Sequence, residues 1–123
     1  MLRYIGLIFC TILMFLLSAC EDKNSIISLS QNEIYFFYQD TCSHCHDAAK
    51  YIKTTHPMLK IKGLDIKMPG NMNLLKQAAL DYKLGPNVGT PLICFGKNYI
   101  MGWNSQYEKK FDELAKSYLN ESK

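Results

Sequence analysis

The chain has 123 residues, which suffice for one domain and leave little room for a second. Its 14 basic and 11 acidic residues give a formal charge of +3, too weak a surplus to indicate a nucleic-acid-binding protein. The 5 cysteines do not form a disulfide-stapled pattern, so we expect a hydrophobic core to hold the domain together.

The amino-terminal segment has the composition of an export signal. Arg3 precedes an apolar run from Tyr4 to Leu17, which is too short for a comfortable membrane span of ~20 residues. The sequence Leu17-Ser18-Ala19-Cys20 then resembles a bacterial lipobox. This resemblance implies that residues 1–19 are a lipoprotein signal peptide and that Cys20 carries the lipid after cleavage. An ordinary signal peptide or an uncleaved anchor is the alternative.

Residues 20–32 are mostly polar and are interpreted as a lipidated tether that ends in a short edge strand. Two or three acyl chains hold a protein firmly to a membrane, whereas a single chain is marginal. Export also implies an oxidising compartment in which disulfides persist. We therefore expect the domain of residues 33–123 on the periplasmic side of a bacterial membrane, anchored by lipid to the inner or outer membrane.

The segment from Ile34 to Thr55 is predicted to be a buried strand followed by a helix. Ile34–Tyr38 is aromatic and apolar throughout, which is typical of a central strand. Cys42-Ser43-His44-Cys45 opens the helix, and its spacing puts both sulfurs on one side of the first turn. There the unpaired N–H groups and the helix dipole favour a thiolate at Cys42. The pattern predicts a redox-active disulfide between Cys42 and Cys45.

The next elements are a half-exposed strand and a helix. Leu59 to Ile66 alternates between apolar and polar residues, which predicts a strand with one wet face. Pro69-Gly70 is interpreted as a turn and Asn71 as the N-cap of a helix that packs through Leu75, Ala78, Ala79 and Tyr82. Gly85-Pro86 is expected to stop that helix.

The last third of the chain predicts a hairpin and a covering helix. Thr90–Phe95 is a buried strand with Pro91 near its start, and Tyr99–Met101 returns beside it. Ser105 and Glu108 have the spacing of a capping box for the final helix. The element order gives a βαβ unit followed by a ββα unit. This order predicts an α/β fold with a central mixed β-sheet flanked by helices.

These features together resemble the thioredoxin-like fold over nearly the whole mature chain. The resemblance rests on the CSHC motif after a central strand, on Gly89-Thr90-Pro91 before the hairpin, and on the element order. His44 and Thr90 are more similar to the exported disulfide-bond (Dsb) enzymes than to cytoplasmic thioredoxins. The resemblance implies a thiol–disulfide oxidoreductase that acts on cysteine-containing exported proteins and exchanges electrons with a membrane redox partner. No cofactor and no metal are expected, and we expect a monomer.

The resemblance also implies a role for each site residue. Cys42 is the nucleophile that forms a mixed disulfide with the substrate, and Cys45 resolves it. His44 stabilises the Cys42 thiolate. Thr90 offers its backbone to an extended substrate, and Pro91, in a cis peptide bond, keeps a metal or a third thiolate away from the dithiol.

Two departures from the thioredoxin pattern leave the direction of electron flow open. Phe36 stands where thioredoxins carry a buried acid, so the carboxylate that usually shuttles the proton of Cys45 is missing, and Thr41 stands where they carry a tryptophan. The chain also lacks room for the inserted helices of the Dsb oxidases or the dimerisation domain of the isomerases. Cys94 is interpreted as a small buried hydrophobic residue, and His56 as an exposed helix end.

Two other functions fit parts of the same motif. Cys42-Ser43-His44-Cys45-His46 is also the attachment pattern of a c-type haem, with His46 and Met68 as candidate axial ligands. Small c-type cytochromes are all helical, however, and the strands predicted on both sides of the motif argue against this reading. Alternatively, two cysteines and one histidine would hold Cu(I) or Zn, but no second ligand pair is apparent.

Overall fold

The computed structural model describes residues 29–122. The predicted signal peptide of residues 1–19, the acylation of Cys20 and the first part of the tether therefore lie outside the described residues. Residues 29–33 form a turn and not the predicted edge strand. Tyr118 Oη donates to Asn32 O in this turn at 2.8 Å. Among residues 29–122, no helix combines the length and the apolar character that a membrane crossing requires.

The described chain alternates strands and helices before ending in a hairpin and a helix. In order, the elements are β1 (Ile34–Tyr38), α1 (Ser43–Thr55), β2 (Ile61–Asp65), α2 (Pro69–Asp81), β3 (Leu92–Phe95), β4 (Asn98–Met101) and α3 (Ser105–Glu121). Strand β1 pairs in parallel with β2 and antiparallel with β3, and β4 pairs antiparallel with β3. The sheet order is β2-β1-β3-β4. The predicted mixed sheet of a βαβ and a ββα unit is confirmed.

Strand β1 supplies both faces of the core because successive side chains of a strand point in opposite directions. Ile34 and Phe36 pack among residues of α1 and α3, whereas Tyr35 and Phe37 pack among residues of α2. The sheet therefore lies between two helices on one side and one on the other. Burial on both faces explains why this strand lacks the alternation of a half-exposed one.

Helix α2 begins three residues earlier than the sequence predicted. Its N-cap is Met68 and its first residue is Pro69, so the interpretation of Pro69-Gly70 as a turn and of Asn71 as the cap is wrong. Proline is favoured at the first helical position because its fixed φ suits the helix and its missing N–H has no partner there. The Asn71 side chain instead donates to Asp65 O at 3.0 Å.

Helix α2 also ends before the expected Gly85-Pro86 stop. Tyr82 is the C-cap and Lys83 takes a left-handed φ of 55°. The N–H groups of Lys83 and Leu84 donate to Leu80 O at 3.2 Å and Ala79 O at 2.8 Å, the two bonds of a Schellman motif. Hydrogen bonding here, rather than a glycine, ends the helix.

The N-cap of α3 is Asn104, one residue before the predicted capping box. Its Oδ1 accepts from Gln106 N at 2.9 Å and from Tyr107 N at 3.0 Å. Ser105 is thus the first helical residue, and its proposed pairing with Glu108 is wrong. Asparagine caps a helix at least as well as serine, so the sequence alone allowed either residue as the N-cap. The path of the backbone decides in favour of Asn104.

Candidate active site: the Cys42–Cys45 dithiol

Cys42 lies at the amino terminus of α1, just beyond the carboxyl end of the central strand β1. It is the N-cap residue, with extended backbone angles, and its Sγ accepts from Cys45 N at 3.2 Å. Its carbonyl oxygen accepts from Cys45 N and His46 N, which starts the helix. A sulfur held against the free N–H groups of a helix start is placed where a negative charge is stabilised.

The two cysteines of the motif are joined as a disulfide, with their Cα atoms 5.2 Å apart. They differ in access: Cys42 is half-buried, whereas Cys45 is only 3% exposed and belongs to the core cluster under α1. An incoming sulfur therefore reaches Cys42 and not Cys45. This asymmetry suits an attacking cysteine with a resolving partner one turn further in.

Thr90 and Pro91 lie against the dithiol although they are far from it in sequence. Cys42 Sγ is 3.7 Å from Thr90 O. The Thr90–Pro91 peptide bond is cis, as the resemblance implies, and Pro91 is fully buried. Gly102 N donates to Pro91 O at 2.9 Å, which fixes the segment to the end of β4. The structure thus brings the two sequence-predicted segments to one point on the surface.

His44 is exposed on the first turn of α1. It lines an open groove of about 620 Å³ between α1 and the start of α3, together with Asp47, Trp103 and Glu108. The imidazole is therefore on the solvent side of the motif and away from the core.

A second cavity, of about 630 Å³, lies on the inner side of the motif between α1 and β2. Cys45 and Phe36 both line it, as does His46, whose Nε2 is 2.7 Å from Asp40 O. Phe36 is 8% exposed and stacks on Tyr38 with ring centroids 5.8 Å apart. Where thioredoxins carry a buried acid, this chain therefore has the packed aromatic ring of Phe36.

A hydrogen-bonded group linking α1 to α3 was missed by the sequence reasoning. His56 Nε2 is 2.6 Å from Asp112 Oδ1, and Tyr51 Oη donates to both Asp112 oxygens at 2.9 and 3.0 Å. The His56 side chain is only 19% exposed, so its interpretation as an exposed helix end is wrong. Desolvation and the Asp112 carboxylate raise the pKa of Tyr51. The partners are 56 and 61 residues apart, and no local pattern signals them.

Cys94 is a buried residue of β3, as predicted, with 1% of its surface exposed. Burial raises the pKa of its thiol to about 12. Tyr82 Oη donates to Gly96 O. A thiol held neutral in this way is chemically inert, so Cys94 is separate from the reactive pair.

Within residues 29–122, no group of three or more His, Cys, Asp or Glu side chains is arranged to hold a metal ion. The metal-carrier reading therefore finds no support in this part of the chain. The haem reading is also disfavoured, because the motif follows the central strand of a four-stranded sheet and is not part of an all-helical domain.

Comparison with solved structures agrees with this topology. A crystal structure of a glutaredoxin from Archaeoglobus fulgidus superposes with a TM-score of 0.53 and 17% sequence identity, over 68% of this chain and 85% of the other. The fold is thioredoxin-like. No protein-family model matches the sequence, and no curated protein is significantly similar to it. A thioredoxin-like fold with a bonded CxxC pair at its central helix start supports thiol–disulfide redox chemistry.

Proposed function

We propose that the protein is a lipid-anchored, extracytoplasmic thiol–disulfide oxidoreductase that exchanges disulfides with exported proteins. The observation that carries the proposal is the unequal exposure of Cys42 and Cys45 at a helix start, with the Thr90 backbone beside Cys42. A simple structural disulfide needs neither a half-buried cysteine at a helix N-terminus nor the start of a strand next to it.

In the reducing direction, the Cys42 thiolate attacks one sulfur of a substrate disulfide. A Cys42–substrate disulfide forms and the other substrate sulfur leaves as a thiolate. Cys45 then attacks Cys42 Sγ, so the second substrate sulfur leaves and the 42–45 disulfide remains. The substrate gains two electrons, which the dithiol loses. The oxidising direction is the same sequence of steps in reverse.

In this proposal Thr90 binds the substrate, and His44 adjusts the reduction potential through the Cys42 thiolate. An extended substrate pairs with the Thr90 backbone like an added strand, which holds the substrate sulfur near Cys42. Pro91, buried below, cannot donate a hydrogen bond and limits what else approaches the pair. His44 stabilises the Cys42 thiolate, which favours the reduced dithiol and makes the couple more oxidising.

The test is turnover of a protein disulfide such as those of insulin with a small dithiol as reductant. We expect the wild-type chain to accelerate reduction and Cys42→Ser to abolish the acceleration. Cys45→Ser should accumulate a covalent adduct with the substrate, visible on a non-reducing gel. Cys94→Ala is the matched control, because it removes a buried thiol outside the site and should leave the rate unchanged. Equal rates for Cys42→Ser and wild type would contradict the proposal.

The reduction potential of the 42–45 pair decides the direction of electron flow. A value near −120 mV, as in a strong oxidant, identifies a disulfide donor, whereas one of about −270 mV identifies a reductase. If His44 tunes the couple, His44→Ala lowers the potential by about 30 mV for each 1.4 kcal/mol of lost thiolate stabilisation. An unchanged potential in His44→Ala removes the tuning role and leaves the rest of the proposal intact.

The anchor is tested separately. In a bacterial host, wild-type protein should take up labelled palmitate and sediment with membranes. Cys20→Ser should do neither, while keeping the insulin-reducing activity of the domain. Acylation that persists in Cys20→Ser would show that another residue carries the lipid.

A further inference from the structure

The resolving step requires a base, and this inference rests on the proposed function. Cys45 must lose its proton before it attacks Cys42, because the thiolate is the reactive form of cysteine. Cys45 is only 3% exposed, so bulk water has little access to its thiol. The sheet residue below it, Phe36, cannot accept a proton. The acceptor must therefore be reached through the cavity that Cys45 lines between α1 and β2.

The titratable residues that line this cavity are not equivalent. Lys53 offers only hydrogen-bond donors and Tyr38 a phenolic O–H, so neither side chain is suited to accept a proton. The carboxylate of Asp40 is a poorer candidate for the base, because its side chain is 65% exposed and is already paired with Lys67 Nζ at 3.3 Å. The fourth residue, His56, is at the far end of α1, where its Nε2 is bonded to the Asp112 carboxylate. Only His46 remains as a nearby base among the cavity residues.

The hydrogen bond of His46 fixes which ring nitrogen is basic. Its Nε2 is 2.7 Å from the carbonyl oxygen of Asp40, and a carbonyl oxygen only accepts hydrogen bonds. Nε2 therefore carries the hydrogen, and in the neutral ring Nδ1 has the free lone pair. The same bond holds the ring beside the first turn of α1. The imidazole thus keeps a basic nitrogen free while the residue lines the cavity.

We infer that His46 accepts the proton of Cys45 through water in this cavity. At about 630 Å³ the cavity has room for several waters of about 30 Å³ each. The Cys45 S–H proton passes to Nδ1 as Cys45 Sγ bonds to Cys42 Sγ and the substrate sulfur leaves with its electron pair. His46 then returns the proton to solvent. In the oxidising direction, protonated His46 delivers the proton to Cys45 as its sulfur leaves.

The experiment follows the reaction of the reduced protein with dithiobis(nitrobenzoate) by stopped-flow absorbance. The first nitrothiobenzoate is released when Cys42 attacks the reagent, and the second when Cys45 displaces it from Cys42. Because only the neutral imidazole accepts a proton, we expect the second rate to rise with pH and then to level off. His46→Gln should slow the second release about 100-fold at pH 7 and abolish the levelling.

Two further variants separate proton transfer from a general disturbance of the site. Lys53→Gln alters the same cavity without removing the base and should leave both phases unchanged. Free imidazole should restore part of the second rate in His46→Ala, which no structural role would predict. A first phase of unchanged rate, with no third nitrothiobenzoate released by the buried Cys94, shows that the His46 variants are folded.

The outcomes distinguish this inference from the proposed function. A normal first phase with a second phase that is the same in wild type and His46→Gln at every pH overturns the role of His46 alone. A wild-type protein that releases no nitrothiobenzoate contradicts the proposed dithiol chemistry itself. A loss of the second rate that imidazole does not restore in His46→Ala also overturns the inference, because it assigns the effect to structure.

Discussion

Removing the Asp112 carboxylate should loosen the attachment of α1, the helix that carries the dithiol, to α3. Asp112→Ala leaves Tyr51 Oη and His56 Nε2 without their shared acceptor. Hydrogen bonds to a charged group contribute about 1.5–3 kcal/mol each when they are shielded from water. The Asp112 side chain is 44% exposed, so water replaces much of the loss. We therefore expect a total loss of about 1–2 kcal/mol.

The measurement is thermal unfolding at neutral pH. For a domain of this size, 1 kcal/mol lowers Tm by about 4–8 °C, so Asp112→Ala should lower it by about 4–16 °C. Asp112→Asn keeps an acceptor for Tyr51 and should lose less. Glu113→Ala is the matched control, since it removes the same charge from an exposed neighbouring position of α3. Equal Tm values for Asp112→Ala and Glu113→Ala would refute the reasoning.

Two further predictions concern the opposite face of the sheet. Lys83→Gly should raise the free energy of unfolding by up to about 1 kcal/mol in denaturant titrations, because Lys83 has a φ of 55°. Lys76→Gly, in the middle of α2, should lower it by a similar amount, and stabilisation by both would refute the assignment. The Cys94 thiol, whose pKa rises from 9.0 to about 12 in the fold, ionises first in the unfolded chain. Its contribution to stability is complete below pH 9 and is lost as the pH rises towards 12. Cys94→Ala should therefore flatten the alkaline loss of stability by up to about 1.4 kcal/mol per pH unit, and an unchanged slope would contradict this.

The sequence predicted those parts of the fold that depend on neighbours along the chain. The apolar run of Ile34–Tyr38, the spacing of Cys42 and Cys45, and the proline before β3 each have a local physical cause. The element order then restricted the topology, because a βαβ connection is right-handed and parallel. Helix ends were less predictable, since Asn104 and Ser105 are both good caps and only the tertiary path chooses between them.

The unpredicted part of the site consists of contacts between distant segments. Nothing near His56 indicates that Asp112 will lie 2.6 Å away, and nothing near Cys45 indicates a cavity between α1 and β2. The missing acid at Phe36, and with it the loss of the usual proton shuttle for Cys45, was visible in the sequence, but its substitute was not. The identity of that substitute depends on which side chains surround Cys45 once the sheet and α1 have packed.

Each outer strand of the sheet has a lysine side chain at its open border, one from β2 itself and one from α3. Lys62 projects from β2 and contacts Glu33 Oε2 at 2.9 Å, while Lys110 reaches across to donate to Tyr99 O of β4 at 3.0 Å. Positive charge on a sheet border opposes the joining of two sheets. Edge-to-edge pairing of two copies of the chain is therefore disfavoured at both borders. Under the proposed function, a substrate strand would pair instead with the Thr90 backbone.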